Sequence, residues 1–312
     1  MNGTTTPYQW GFKKGKSTEG LLLLMTETWK KAIDKGWIVG VLLIDFRKAF
    51  NSVSHTIMKA KLQGFGFTGK AYRILESYLD DRQQFVELNG TRSGMRDVSY
   101  GVPQGSLLGP RLFSMYINDL PDHITKGDVY LFADDTTFYY VGQNIEEVVD
   151  SLNEIGIEIK QWCEKNRLTI HSDKSEVMII TRQDFVGPLR PVRIGDSIIK
   201  YKNSVTSLGV TIDKHLKWDH QIKKVAKSYR AKMSQFRRMT YLPIATQEEI
   251  YFKTVIAAVT YGIAVWGTCS QVLMSQLERI HARAAKLIHK LQKNISDEEA
   301  LLNANWNRLD YI

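Results

Sequence analysis

Apolar residues recur at helical spacing through Leu21, Leu24, Met25, Thr28, Trp29 and Ala32, which predicts an amphipathic helix with one buried face. Ser17 and Thr18 ahead of Glu19 mark its start, and Lys35-Gly36 its stop. The next run, Trp37-Ile38-Val39-Gly40-Val41-Leu42-Leu43-Ile44, has no polar face. A strand apolar on both sides belongs in the middle of a sheet. Short helices are expected over residues 57–63 and 70–79. Asn89-Gly90 within residues 85–91 suits a β-hairpin with a type I′ turn. Pro110 opens a helix expected to run to about Asp119 and to be stopped by Pro121. Two β-prone runs, Val129-Tyr130-Leu131 and Phe138-Tyr139-Tyr140-Val141, then flank a hairpin turn. A long amphipathic helix follows from Ile145 to Lys165, then strands over 168–170 and 176–181, and a strand or hairpin over 205–213. Beyond Asp213 the chain turns to basic helices, so the expected division is 1–213 and 214–312.

Composition narrows the class. With 312 residues, 43% apolar and 24% charged, the chain can form two or three subdomains with real cores. A formal charge of +9 suggests a polyanionic partner, nucleic acid or an anionic membrane surface. Cys163 and Cys269 are too few and too far apart for a disulfide framework or zinc knuckle, and read as packing residues in a reducing interior. The N-terminal residues lack the layout of a signal peptide. Residues 37–44 fall far short of the roughly 20 needed to cross a bilayer. Residues 255–269 are interrupted by Thr260, Gly262, Gly267 and Thr268, and read as a buried helix. An intracellular protein, nuclear or cytoplasmic and neither secreted nor membrane-bound, is expected.

The candidate chemistry lies in Phe132-Ala133-Asp134-Asp135. Adjacent aspartates in a tight turn repel each other, and a divalent cation shared with a third carboxylate relieves that repulsion in a way suited to phosphoryl transfer. Such a pair alone is more often structural; Asp45, ending a second buried strand, shifts the balance. The turn after Asp45 offers backbone N–H groups, with Arg47 and Lys48 adding positive charge for a metal-bound triphosphate. A helix-capping aspartate with a solvated basic turn is the plainer alternative. Gly101-Val102-Pro103-Gln104-Gly105-Ser106-Leu107-Leu108-Gly109-Pro110 is built for close backbone approach: its glycines clear room for a flat base or sugar, and Gln104 offers an amide.

Together these strings resemble the reverse transcriptase domain of non-LTR retrotransposons of the jockey-like group, in order and spacing, from Gln9 to about Trp266. Gln9 to Thr18 is similar to the fingers motif, and Leu43 to Phe50 to the first palm motif. Gly101 to Pro110, continuing into Tyr116-Ile117-Asn118-Asp119-Leu120-Pro121, is similar to the second, and Phe132 to Asp135 to the third. Asn166-Arg167-Leu168-Thr169-Ile170 with Lys174 is similar to the fourth, and Leu208 to Asp213 to the primer grip. The resemblance implies an α+β right-hand polymerase with partial fingers, a ferredoxin-like antiparallel palm and a helical thumb.

It also implies roles. Asp45 and Asp134 would be the principal ligands of two Mg²⁺ ions (Mn²⁺ is an alternative), with Asp135 and the Phe46 carbonyl completing the site. Phe50 would be the sugar gate excluding a ribose 2′-hydroxyl, a role compatible with being a core phenylalanine. Arg47, Gln104 and Gly105 would surround the incoming nucleotide, and Lys174 would protonate the departing pyrophosphate unless it is a solvated loop lysine. Residues 214–238 carry nine Lys/Arg against one acid, Asp219. There Lys223, Lys224, Lys227 and Arg230 lie off an apolar seam and would contact duplex phosphates. Trp218 and Trp266 read as core. The implied reaction extends a DNA primer on an RNA template with dNTPs.

Asn51 and Ser54 stand where the family usually carries aspartate, and both are read as possible helix caps. An upstream fingers motif and an endonuclease domain are expected to be missing, as in a fragment of an element's polyprotein or a decayed copy. The rival readings are an inactive remnant that only binds nucleic acid, and a group II intron or telomerase-type polymerase.

Overall fold

The computed structural model describes residues 5–182, 184 and 187–309. They divide into two units: one runs up to Leu21 and from Lys31 to Lys202, the other groups Leu22–Lys30 with the residues from Asn203 onward. Helix α1 (Thr18–Asp34) is capped by Ser17, whose Oγ accepts the Gly20 N–H at 3.0 Å. Its buried face is Leu21, Leu22, Met25, Trp29, Ala32 and Ile33. Leu24, expected on that face, is exposed. The face centres on Met25 and Trp29, and the helical turn brings Leu22 nearer that line than Leu24.

The first unit follows the order β1 (Ile38–Ile44), α2 (His55–Gly64), α3 (Gly69–Leu79), four two-residue strands, α4 (Gly109–Tyr116) and α5 (Leu120–His123). Then come β6 (Asp128–Phe132), β7 (Asp135–Gly142), α6 (Ile145–Lys165), β8 (Glu176–Ile180), β9 (Val192–Ile194) and β10 (Ser197–Tyr201). The short strands form an exposed arm in which β2 (Gln83–Gln84) pairs with β5 (Arg96–Asp97), and β3 (Glu87–Leu88) with β4 (Thr91–Arg92). At its tip Asn89 and Gly90 both take positive φ, as a type I′ turn requires.

The main sheet has the order β6-β7-β1-β8-β10-β9. Its first four strands are antiparallel and make the βαββαβ arrangement of a ferredoxin-like palm. Strand β1 is central, with Leu42 between Phe138 and Val177. Val39, Val41 and Leu42 are wholly buried, each contributing roughly 1.5–3 kcal/mol. The β9–β10 hairpin extends the sheet with β10 parallel to β8, so the palm is not antiparallel throughout.

Helix α6 starts at Asn144, whose side chain caps the Glu147 N–H at 2.8 Å. It packs closely on the sheet because two glycines remove side chains. A Cβ on Gly40 would lie 2.5 Å from Val148 Cγ1, and one on Gly156 would lie 2.2 Å from the Arg193 carbonyl oxygen.

Three expectations need correction. Pro121 does not stop α4, which ends at Tyr116; it sits in the first turn of α5, where its missing N–H costs nothing. Residues 168–170 form no strand. Ile170 makes one bridge to Phe46, between left-handed Arg167 (φ 52°) and the turn after His171, which leaves no length for a ladder. Residues 255–269 are not one helix. A π-helical turn, Tyr251–Ile256, leads into a three-residue helix, Ala257–Val259, and left-handed Gly262 (φ 73°) breaks the chain before the next helix at Ile263.

The second unit contains the hairpin β11 (Ser204–Ser207) and β12 (Val210–Asp213), then α7 (Asp219–Phe236) and α8 (Ile244–Ile250). It continues with α9 (Ala257–Val259), α10 (Ile263–Trp266), α11 (Gln271–Ile288) and α12 (Asp297–Ala304). Asp213 organises the turn into α7, its carboxylate accepting the N–H groups of His215, Lys217 and Trp218. The seam of α7 is buried as read: Ile222, Val225, Ala226, Tyr229, Met233 and Phe236. Trp218 and Trp266 are core. Tyr251 stacks on Trp306 at 4.8 Å and bonds to His281 Nδ1 at 2.6 Å. Burial lowers the His281 pKa to about 4, keeping the ring neutral. Among the described residues no helix is long and apolar enough to cross a membrane.

In an exposed helix Gly→Ala stabilises by up to about 1 kcal/mol. Gly156→Ala should do the reverse, because the new methyl group meets a backbone carbonyl of β9 that cannot turn aside. A loss of about 1–3 kcal/mol in chemical denaturation is expected. A stabilised variant would show that α6 and β9 are not in this contact.

Candidate active site

Asp45 is the first residue beyond β1, and both of its backbone groups are tied down. Its N–H donates to Ser175 Oγ at 3.2 Å, and its carbonyl accepts the His171 N–H at 2.8 Å. The Lys174 N–H donates to the His171 carbonyl at 3.0 Å, so the turn that fixes Asp45 also carries Lys174. Phe46 buries its ring against Trp162. The Phe46–Ile170 bridge uses the carbonyls of Asp45 and Thr169, leaving the Phe46 carbonyl outside those bonds. Lys48 is left-handed (φ 48°) and starts a 3₁₀ turn, Ala49–Ser52. That turn directs Phe50 onto Phe113, with ring centroids 4.6 Å apart.

Strands β6 and β7 close on the pair Phe132–Asp135, so Ala133 and Asp134 form the turn. Ala133 is left-handed (φ 57°), a conformation that disfavours a residue with a Cβ. It is held from outside the hairpin. The segment around Gln9 lies parallel to β6, with Trp10 N–H to Leu131 O at 2.8 Å and Leu131 N–H to Tyr8 O at 3.1 Å. The Gln9 Oε1 accepts both the Gly11 N–H, at 2.8 Å, and the Ala133 N–H, at 3.0 Å.

A cavity of about 580 Å³ opens between these elements. Asp45, Phe46, Arg47, Phe50, Gln104, Asp134 and Lys174, all expected at the site from the sequence, line it. Asp135 and Gly105 do not. Gly105 is exposed and left-handed (φ 75°), and a Cβ there would meet no protein atom within 4 Å. An adjoining cavity of about 610 Å³ shares Lys48, Asn51 and Gln104, and runs to the arm residues Gln83 and Gln84. Lys223, Lys224, Lys227 and Arg230 are exposed on α7 in the second unit.

The aspartates are crowded. Burial, and to a lesser degree the charge of Asp45, raises the Asp134 pKa above the usual carboxylate range, against a backbone hydrogen bond that lowers it. Desolvation, then Asp134 and Asp45, raises that of Asp135. Its side chain is exposed on the surface, so water screens much of this effect. No three His, Cys, Asp or Glu side chains among the described residues close into a ready-made metal cluster. The donor set is an open one: hard carboxylate oxygens of like charge beside a substrate-sized cavity. That chemistry fits Mg²⁺, which binds through few carboxylates and takes its remaining ligands from water and phosphate.

Asn51 and Ser54 do not act as side-chain caps. Asn51 lies within the 3₁₀ turn, and its Oδ1 accepts the Gln104 amide at 3.2 Å. Ser54 occupies the N-cap position of α2 without a side-chain bond to the helix. Cys163 is buried and Cys269 half-buried. Two further residues at the site carry no individual signal in the sequence. His171 lines the cavity with a buried Nδ1 that has no partner among the described residues; its signal is its place between Ile170 and Lys174. Gln9 was visible only as one letter of a motif.

Residues 3–212 match the family described as reverse transcriptase (RNA-dependent DNA polymerase). The chain is 27% identical over 292 residues to the probable RNA-directed DNA polymerase from transposon BS of Drosophila melanogaster. It is 26% identical over 296 residues to the RNA-directed DNA polymerase from mobile element jockey of the same species. These matches cover 90% and 91% of this chain but 32% of each relative, so it spans about a third of their length. Among solved structures, a telomerase from Candida albicans in complex with a fragment of telomeric RNA is similar over 91% of this chain and 54% of that one. Its TM-score is 0.49 and its sequence identity 10%.

A carboxyl whose pKa is raised on folding costs stability once pH rises through that value, and costs nothing below the unfolded pKa. Asp134→Asn removes such a charge. Without divalent cations its melting temperature should exceed the parent's by a few degrees at neutral pH, and the gap should close as pH falls to about 4. A gap independent of pH would show that like-charge crowding is not its source.

Proposed function

The chain belongs to the reverse transcriptase (RNA-dependent DNA polymerase) family, and on that premise we propose that it extends a DNA 3′ end on an RNA template. Deoxynucleotides enter as dNTPs and pyrophosphate leaves. The reading rests chiefly on Asp45 and Asp134, brought from two separate strands to one cavity that also takes Arg47, Phe50, Gln104 and Lys174.

Asp45, Asp134 and the Phe46 carbonyl would hold two Mg²⁺ ions, with Asp135 supporting the pair. When bound, the ions supply an activated 3′-hydroxyl and charge neutralisation on the triphosphate. The remaining work falls to the chain's own groups. Arg47 and Lys48, both exposed at the cavity, place positive charge beside the phosphates. Phe50 stacks on Phe113 at the cavity, and its ring would fill the space of a ribose 2′-hydroxyl. Gln104, tethered to Asn51, offers a flat amide to the nucleotide. The 3′ oxygen bonds to the α-phosphorus as the bond from that phosphorus to the bridging oxygen breaks. The primer hydroxyl gives its proton to solvent water, and Lys174 Nζ can give one to the pyrophosphate. Lys223, Lys224, Lys227 and Arg230 would contact template–primer phosphates without reading sequence.

Primer extension on an RNA template with Mg²⁺ tests the reading. Asp134→Asn should lower extension by roughly a thousandfold or more while leaving duplex affinity within about twofold. Extension near the parental rate in that variant refutes the assigned role. Absence of extension in the parent, with salt-sensitive duplex binding retained, favours a binding remnant.

Sugar selection is a separate test. Phe50→Ala should raise ribonucleotide incorporation relative to deoxynucleotide by about tenfold or more, the scale of opening space for one small group. Unchanged discrimination would leave the ring a packing role only.

A further inference from the structure

Gln9 is 2% exposed, yet its amide is bonded at one end only. The Oε1 is shared between Gly11 N–H and Ala133 N–H, while Nε2 is buried with no partner among the described residues. An amide that leaves its own donor unpaired to accept two backbone donors is held for its oxygen. Those two donors also settle which end of the amide is oxygen.

The surroundings are built to the same end. A Cβ on Gly11 would lie 2.5 Å from the Ala133 nitrogen, so this backbone approach requires glycine. Thr6 N–H donates to Asn118 Oδ1 at 2.6 Å, and Lys13 Nζ donates to the Thr6 carbonyl at 2.9 Å. The Leu131 backbone holds the segment on either side of Gln9, through the Tyr8 carbonyl and the Trp10 N–H. Ala133 needs such support: nothing in its side chain offsets a left-handed φ, whereas an N–H bonded in that conformation does.

We propose that Gln9 is a positioning residue for Asp134. Its Oε1 locks the Ala133 peptide and so sets the direction in which the next residue's carboxylate leaves the turn. This rests on the polymerase reading for its consequence, but the brace itself does not.

The test uses the full chain and three variants. Gln9→Met keeps length and removes the acceptor. Gln9→Glu keeps an oxygen in place of Oε1, exchanges the unpaired donor for a second oxygen and, when ionised, adds a charge beside the aspartate turn. Gly11→Ala forces the backbones apart. Amide exchange at Ala133, read by NMR, should quicken at least about tenfold in Gln9→Met and Gly11→Ala and stay near parental in Gln9→Glu. Circular dichroism on each variant checks that the fold is kept. In primer extension, Gln9→Met should lower kcat by about tenfold or more with KM for dNTP within about twofold, as expected for a misplaced reacting group. Gln9→Glu, which restores the acceptor but adds a charge, should recover part of it.

Unchanged exchange at Ala133 in Gln9→Met overturns the brace. Faster exchange with unchanged kcat overturns the positioning role. Should the parent extend no primer, the polymerase reading fails on its own, and exchange at Ala133 still decides whether the brace exists.

Discussion

Like charges do not gather unaided. Asp45, Asp134 and Asp135 raise one another's energy, and hydrogen bonds from neighbouring elements hold their backbones in place. Strand β1 is fixed on both edges by buried pairing. The residue that follows it is then caught by Ser175 and by the His171 N–H. On the other side the β6–β7 turn is caught by Gln9. A softer scaffold would let the carboxylates drift apart into water, and a cation would have to gather them again on each encounter.

Much of this was legible in the chain because it depends on local pattern. The apolar run of β1, the Asn-Gly turn of the arm and the seam of α7 each follow from one element's own periodicity or turn chemistry. So does the span of α6. The aspartates could be placed because each ends or joins a strand. What could not be read depends on partners distant in sequence. Pro121 is equally at home ending one helix or starting another, and only the fold decides. The 168–170 segment has strand-like residues, but Arg167 and the His171 turn leave it no room. Leu22 and Leu24 differ by a rotation about the axis that only the packed face resolves. The parallel pairing of β10 with β8 leaves no local mark at all.

Motif strings, too, mix chemistry with wiring. In Tyr116-Ile117-Asn118-Asp119 no side chain lines the aspartate cavity. Tyr116 Oη donates to the Asn166 carbonyl at 2.6 Å, and Asn118 holds Thr6. Asp119 accepts from Lys61 Nζ at 2.6 Å and from Trp162 Nε1 at 3.2 Å. Burial lowers the Lys61 pKa, and Asp119 opposes that by favouring the charged form. These residues join α2, α4 and α6 beneath the site. Asn51 serves in a similar way by holding Gln104.

The bond from Gln9 to Ala133 closes a loop of 124 positions. During synthesis the ribosome delivers Gln9 long before the hairpin exists, so the early segment must wait, unpaired and open to competing partners. Loop closure over such a distance is slow compared with local structure. The bracing of the carboxylate turn by Gln9 therefore comes late. A nascent chain halted before β6 would carry Asp45 but have neither Asp134 nor a turn for Gln9 to hold.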